Sequence, residues 1–326
     1  MLSIKLALVD NPDHRKTHRH PVPLVGGIAI YCSILVMHLI SAERIPHFNA
    51  YLVSGGLLLV VGVLDDRFQL PVLPRLVVQG IAAVLIMYDG IYLHSLGFLW
   101  FNEELTLGSL GYLFTLFAVG AAINIFNMMD GIDGLLAGMC TVSFAGLAVC
   151  FSLAGQQSMM VYCLLLIAAI IPFMLCNLGI AFGGRQKVFM GDAGSTLLGF
   201  TVIWLVIICS QGQQIALAPA NALWLIALPL MDMVCVTSGR IKNNKSAFHP
   251  DRTHFHHLLM NYGLSDHKTL SLMVALGIIY CVAGVSLQIN HVNQRLSLCM
   301  FLCLFVLHYF IRKKLIYTAV KKDREE

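Results

Sequence analysis

Charged residues are scarce in this sequence. Only 12% of its 326 residues are Asp, Glu, Lys or Arg, against about 25% in an ordinary soluble domain. With 58% hydrophobic residues and a mean hydropathy of +0.79, that shortage excludes a soluble globular class. There is no CxxC pair. The ten cysteines are scattered, nearly all within apolar runs. That pattern excludes a thiolate metal knot and reads as small apolar packing, even for Cys299 and Cys303, one helical turn apart. No low-complexity tract and no fixed-period repeat is present, which excludes a solenoid. No cleavable signal peptide is read at the start. The longest stretch between apolar runs, 237–268, is too short for a separate soluble domain. The expected organisation is one integral membrane domain over 1–326.

What is present is apolar runs. A helix needs about 20 apolar residues to span a bilayer. Ten candidate spans are expected: 24–41, 50–64, 75–89, 110–128, 134–153, 159–177, 195–210, 216–236, 269–289 and 296–312. The runs at 50–64, 75–89 and 195–210 are short, so their helices should extend into the flanking polar stretches. The expected fold is an all-α polytopic membrane protein. An even number of spans puts both termini on one side. Of the 21 Lys and Arg, only Arg44 and Arg295 fall in the set of connections opposite the termini. The other 19 lie in 1–23, 65–74, 178–194, 237–268, 313–326 and the adjoining span ends. The positive-inside rule makes that set cytoplasmic. The net charge of +4 is therefore a topology signal and points to no nucleic-acid partner.

Nearly every unusual polar residue falls on the same side. Asp65 and Asp66 end a span in VLDDRFQLP (63–71). Asn124, Asn127, Asp130 and Asp133 recur at steps of three in NIFNMMDGIDGL (124–135). Asp192 lies in KVFMGDAGS (187–195), and four histidines lie in HPDRTHFHHLL (249–259). Acids at membrane depth cost several kcal/mol and mark function by default. A single one could be a carboxylate at a wetted helix end, but five at three span junctions are hard to read that way. Adjacent carboxylates at 65 and 66 repel unless a cation offsets them. Acids accompanied by amides, without thiolates, are hard oxygen donors that suit Mg²⁺ or Mn²⁺. Glycines at 131, 134, 191 and 194 let backbone approach a ligand closely. Gly191 to Ser195 precedes a helix, whose N-terminus favours an anion. A metal-bound phosphate compound at the cytoplasmic membrane surface is the expected ligand.

Steps of three advance about 300° around a helix, so the run from Asn124 to Asp133 drifts by about 180°. Asn127 and Asp130 are expected to face the site, with the glycines bending the chain to bring Asp133 round. Asn124 reads as an amide satisfied by a neighbouring helix. His256 and His257 are adjacent and cannot share a helix face, whereas His254 and His257 can. A phosphate-binding or proton-handling role suits these histidines better than a metal site. His14, His18 and His20 read as solvated.

Five pieces in order, RKTHRHPVPLVGG (15–27), LDDRF (64–68), NIFNMMDGIDGL, VFMGDAGS (188–195) and DRTHFHH (251–257), resemble the polyprenyl-phosphate N-acetylhexosamine-1-phosphate transferases. The pieces span nearly the whole chain. The HFHH form with PLVGG is closer to the WecA/TagO branch than to MraY. The resemblance implies transfer of a 2-acetamido-sugar 1-phosphate, by default GlcNAc-1-phosphate, from a UDP-sugar to undecaprenyl phosphate, with Mg²⁺ as cofactor or Mn²⁺ in its place. It implies Asp192 and Asn127 as metal ligands and Phe189 as the aromatic that stacks on uracil. Asp65 and Asp66 would deprotonate or orient the lipid phosphate. Asp130 and Asp133 would wall the nucleotide. His254, His256 and His257 would contact diphosphate and sugar, and Lys16 and Lys187 phosphate. Specificity for the sugar would sit in 237–268.

Two departures stand out. The acidic motif often ends in a third acid where this chain has Gln69. The family usually has eleven spans, and this chain starts with MLSIKLALVD where the first would end, so ten are expected. An ion-coupled transporter would place its acids near mid-membrane in paired repeats, and an intramembrane aspartyl protease would carry GxGD where this chain has FMGD. Neither pattern is visible.

Overall fold

In the computed structural model the chain is described over residues 8–10, 20–40, 45–99, 103–181, 187–211, 214–247 and 253–325, with side chains to 318. Two short strands, β1 (Val9–Asp10) and β2 (Val22–Pro23), pair antiparallel. The helices follow: α1 (Gly26–Ile40), α2 (Phe48–Phe68), α3 (Val72–Tyr88), α4 (Leu110–Met129), α5 (Leu135–Leu153), α6 (Gln157–Asn177), α7 (Gly191–Gln211), α8 (Pro219–Leu225), α9 (Ala227–Lys242), α10 (Phe255–Asn261), α11 (Asp266–Ile289) and α12 (Gln294–Glu325). This is an all-α polytopic membrane protein. Seven of the described helices are long and apolar enough to cross a membrane, and the bent pair α8 and α9 adds an eighth only if the two count as one span. The helices α1 and α3 are apolar but shorter.

Each expected span lands on a helix. As expected, α2 and α7 run past the apolar limits of 50–64 and 195–210, whereas α3 is displaced toward the N-terminus of 75–89. The run 216–236 is not one rod: α8 and α9 meet at 84°. Pro229 in the first turn of α9 has no N–H for the carbonyl four residues back, so a continuous helix would orphan Leu225. The hydroxyl of Ser143 on α5 donates to that carbonyl at 2.8 Å. A broken helix at membrane depth is tolerated when its freed groups are taken in this way.

The axis of the bundle is α7. Between Leu197 and Cys209 its one hydroxyl is that of Thr201, and so apolar a helix belongs in the interior. Of its most apolar 18-residue window, 89% is buried, against 17% for α12. Around it pack α1, α2, α4 and α5. Midway along it Tyr51 of α2 packs against Phe200 and Trp204, with the Tyr51 and Phe200 rings parallel at 5.8 Å. The end where α7 begins gathers the polar motifs.

Candidate active site

The turn into α7 is set by Gly191, whose φ of +72° only glycine adopts without strain. The Asp66 carboxylate lies against it, accepting from the Asp192 amide at 2.7 Å and the Ala193 amide at 3.3 Å. The anion at this helix N-terminus is therefore the chain's own carboxylate, where a phosphate was expected. Two glycines let α7 sit so close. A Cβ at Gly62 of α2 would lie 2.6 Å from the Ala193 nitrogen, and one at Gly27 of α1 would lie 2.5 Å from Gly194 Cα. The PLVGG stretch has a matching backbone role. Leu24 bridges Phe189 in parallel, the Phe189 amide donates to the Pro23 carbonyl at 2.9 Å, and the Gly27 amide donates to Met190 at 3.3 Å.

Asp192 faces Asn127 on the last turn of α4. The amide of Asn127 donates to Asp192 Oδ1 at 2.6 Å and to Ser195 Oγ at 2.9 Å. With both N–H groups directed this way, the amide oxygen of Asn127 is left for another ligand. The helix α4 ends at Met129, and α5 starts after Gly134, whose φ is +77°. The turn between them swings Asp133 round to Lys187, which meets it at 2.6 Å. Lys187 Nζ also lies 5.1 Å from the centre of the Phe189 ring. Asp130 lines the opening: its side chain has solvent-reachable surface and no hydrogen-bond partner among the described residues. Enclosure by protein pushes its pKa up to about 7, and the charges of Asp192, Asp133 and Asp66 add to the rise. The neighbouring carboxylates of Asp192, Asp133 and Asp66 make this opening a negative one.

Asp65 is taken up by the α2–α3 turn. Its oxygens accept from the Leu70 amide and from Arg75 Nη1, both at 2.7 Å, and only 4% of it is exposed. Gln69, at φ +51°, caps α2 with an exposed side chain. The acid pair thus spends all four oxygens on protein, Asp65 on the α2–α3 turn and Asp66 on α7.

The histidines form one stack. His254 caps α10, its ring lies parallel to His256 at 5.8 Å, and His256 and His257 are 4.2 Å apart. His256 is 1% exposed, and neither ring nitrogen has a hydrogen-bond partner among the described residues. Burial drives its pKa down to about 3, with His257 adding to the fall. A side chain at Gly131 would run into this ring, so the histidine stack rests on the turn that carries Asp130 and Asp133. Lys16, His14, His18, His249 and Asp251 lie outside the described residues.

Two residues that sequence reasoning missed complete the frame. Asn177, at the end of α6, accepts from the Gly134 amide at 2.6 Å and donates to the Val188 carbonyl at 2.9 Å, joining two motif loops. Asp232 on α9 binds the histidine stretch. An acid inside the 216–236 run was a legible signal for it; Asn177 had none beyond being an amide at a span end. Asn124 donates to Gln79 of α3 at 2.9 Å, as expected of an amide satisfied by a neighbouring helix. It lines an apolar groove of about 440 Å³ between α3, α4 and α9, walled by Leu76, Leu116, Phe117 and Met233. Met128 lines it too, so the groove reaches the last turn of α4, the turn that carries Asn127.

Fold and site together define a polytopic membrane protein with hard oxygen donors gathered at one end of the bundle. Residues 48–210 match the family model described as glycosyl transferase family 4. The chain is 44% identical over 315 residues to the undecaprenyl-phosphate alpha-N-acetylglucosaminyl 1-phosphate transferase of Yersinia pestis, covering 96% of this chain and 86% of that one. It is 46% identical over 315 residues to the protein of that name from Salmonella typhi, with the same coverage. It is 44% identical over 312 residues to that of Escherichia coli K12, covering 95% and 85%. The chain belongs to glycosyl transferase family 4.

Proposed function

We propose that this protein transfers GlcNAc-1-phosphate from UDP-GlcNAc to undecaprenyl phosphate, releasing UMP and leaving a sugar–pyrophosphate–lipid. Its place is the inner (plasma) membrane, as one domain over 1–326, with both termini and the cleft cytoplasmic. There it would start a cell-envelope polysaccharide. The observation that carries the reading is the meeting of Asn127, Asp130, Asp133 and Asp192 with Lys187 and Phe189 in one cleft beside an apolar groove. The relatives' shared name supplies donor and acceptor; another UDP-2-acetamido sugar would be handled by the same chemistry.

The residues present fit Mg²⁺. Asn127 and Asp192 are hydrogen-bonded together and retain one oxygen each, and this metal commonly takes only one or two protein oxygens. When bound there, it would offset the charge of the diphosphate and of the crowded acids. The chain's own residues do the rest. Phe189 offers a ring face to uracil, and Asp133 and Lys187 border it. The groove admits the head-proximal isoprene units and aims the lipid phosphate at the β-phosphorus. A phosphate oxygen attacks there, and the bond to UMP breaks. Such transfers need positioning and charge neutralisation more than covalent help, and a direct displacement is the simpler route. The hydrogen bonds of Asp65 and Asp66 favour holding the frame over removing a proton. His256 packs on the turn that carries Asp130 and Asp133, and His257 beside it is the less buried of the two.

The test is UMP release by solubilised protein given Mg²⁺, polyprenyl phosphate and UDP-GlcNAc. Release that needs the lipid phosphate and vanishes in Asp192→Ala supports the reading. A folded, lipid-supplied protein that releases no UMP from a panel of UDP-sugars refutes it.

A further inference from the structure

One buried acid belongs to none of the motifs. Asp232 lies in α9 and is 1% exposed. Its Oδ2 accepts from His254 Nδ1 at 2.9 Å, and its Oδ1 accepts from the Phe255 amide at 2.9 Å. From α12, Arg312 brings Nε to 3.5 Å from Oδ1, and its Nη2 donates to the Thr253 carbonyl. One turn earlier His308 sets its ring against Phe255 at 4.9 Å. A carboxylate removed from water is costly unless well partnered, and these partners belong to one short stretch, 253–255, and its clamp.

The hydrogen bonds also settle where the His254 proton sits. Its Nε2 faces Arg240 Nη2 at 3.3 Å. Arginine has only donors, so Nε2 presents its lone pair and Nδ1 carries the hydrogen given to Asp232. One carboxylate thereby fixes the tautomer, the ring plane and the first amide of α10. A carboxylate behind a histidine commonly orients it in this way. The consequence is passed on by stacking: His254 lies parallel to His256, and His256 rests on Gly131 in the Asp130–Gly134 turn.

We propose that Asp232 is a positioning residue for this reaction: it sets His254 and the start of α10, and so holds His256 and His257 over the turn that carries Asp130 and Asp133. It acts through His254 and meets no substrate itself. The role rests on the transferase reading for its effect on turnover, but not for its effect on the loop.

Asp232→Asn keeps the size and an acceptor for the Phe255 amide. It turns an N–H toward His254 Nδ1, which forces the ring proton to Nε2, against Arg240. Two readouts are made on full-length solubilised protein. Amide exchange over 253–261 is expected to rise in Asp232→Asn while that of α5 stays unchanged. In UMP release kcat is expected to fall about 10²-fold, with KM for polyprenyl phosphate within about twofold. His254→Asn should cost a similar factor, and the double variant no more than either single, since both break one unit. Asp232→Glu keeps the charge and should give intermediate kcat, which covers a failure of Asp232→Asn to fold. Losses that multiply in the double variant, or wild-type exchange and kcat in the folded Asp232 variants, overturn the proposal. A wild-type protein that releases no UMP defeats the transferase reading instead, and exchange over 253–261 still decides the positioning role.

Discussion

Gly62→Ala tests whether the start of α7 is the part of the fold that turnover depends on. The added methyl would lie 2.6 Å from the Ala193 nitrogen and 3.0 Å from the Asp192 carbonyl carbon. The Ala193 Cα would lie closer still, and ordinary contact begins near 3.4 Å, so α2 and the α7 N-terminus must part by about 1 Å, because close-packed backbone has no slack to absorb it. Asp66 is one turn further along α2 and bonded to the Asp192 and Ala193 amides, so the shift strains both bonds and carries Asp192 away from Asn127. Overpacking of this kind costs about 1–3 kcal/mol of stability. A misplacement near 1 Å at a reacting centre costs roughly 10²-fold in rate. The expected outcome is a folded protein whose kcat for UMP release falls by about 10²-fold. Initial rates at saturating substrates are read beside a thermal melt. Gly27→Ala should act in the same direction from the opposite side, 2.5 Å from Gly194 Cα. Gly239→Ala is the control, since nothing lies within 4 Å of its Cβ. A folded Gly62→Ala protein with wild-type kcat would show that the placement of Asp192 does not govern the reaction.

Four further outcomes follow from the same geometry. Ser195→Ala removes a partner of the Asn127 amide and should raise the Mg²⁺ needed for half-maximal UMP release by about 10–100-fold, as a metal titration would read. Gly120→Leu adds bulk to the apolar groove and should raise KM for polyprenyl phosphate while leaving KM for the UDP-sugar within about twofold. Arg75→Ala leaves the buried Asp65 carboxylate with the Leu70 amide alone and should cost about 1–3 kcal/mol, seen as a lower melting temperature that Asp65→Asn in the same chain partly restores. His256 is held neutral, its folded pKa near 3 lying below the unfolded value of 6.5. The stability it contributes is full above pH 6.5 and is lost as pH falls toward 3; at pH 5.5 the loss is about 1.4 kcal/mol, and His256→Gln should flatten that part of the stability profile.

Periodicity found what depends on one helix at a time. The apolar runs became helices, and the three-residue step placed Asn127 at the cleft with Asp133 brought round by the glycine turn. Asn124 was read as satisfied by a neighbouring helix, and it is, through Gln79. Pairings between distant segments were not legible. Nothing near Pro229 says that Ser143 will take the carbonyl it frees, so 216–236 read as one span. The same blindness shaped the view of the acids. Asp65 and Asp66 looked like a repelling pair in want of a cation, because their partners, Arg75 and the first amides of α7, lie outside the local pattern.

That outcome changes how a polar motif at a membrane surface should be weighed. The preference of a helix N-terminus for an anion is real, but here Asp66 satisfies it from within. The free oxygens are left to Asn127, Asp130 and Asp192, beside that same turn. Rigidity follows from the same bonds: each acid spent on the frame removes a way for the cleft to deform. A site that works by positioning needs its ligands held within a fraction of an ångström, and in a bundle of smooth apolar helices only polar ties of this kind can set the register of α2, α4 and α7 against one another. The adjacent acids Asp65 and Asp66 are thus the ones the fold uses as struts, and they hold α2 against the α2–α3 turn and the start of α7.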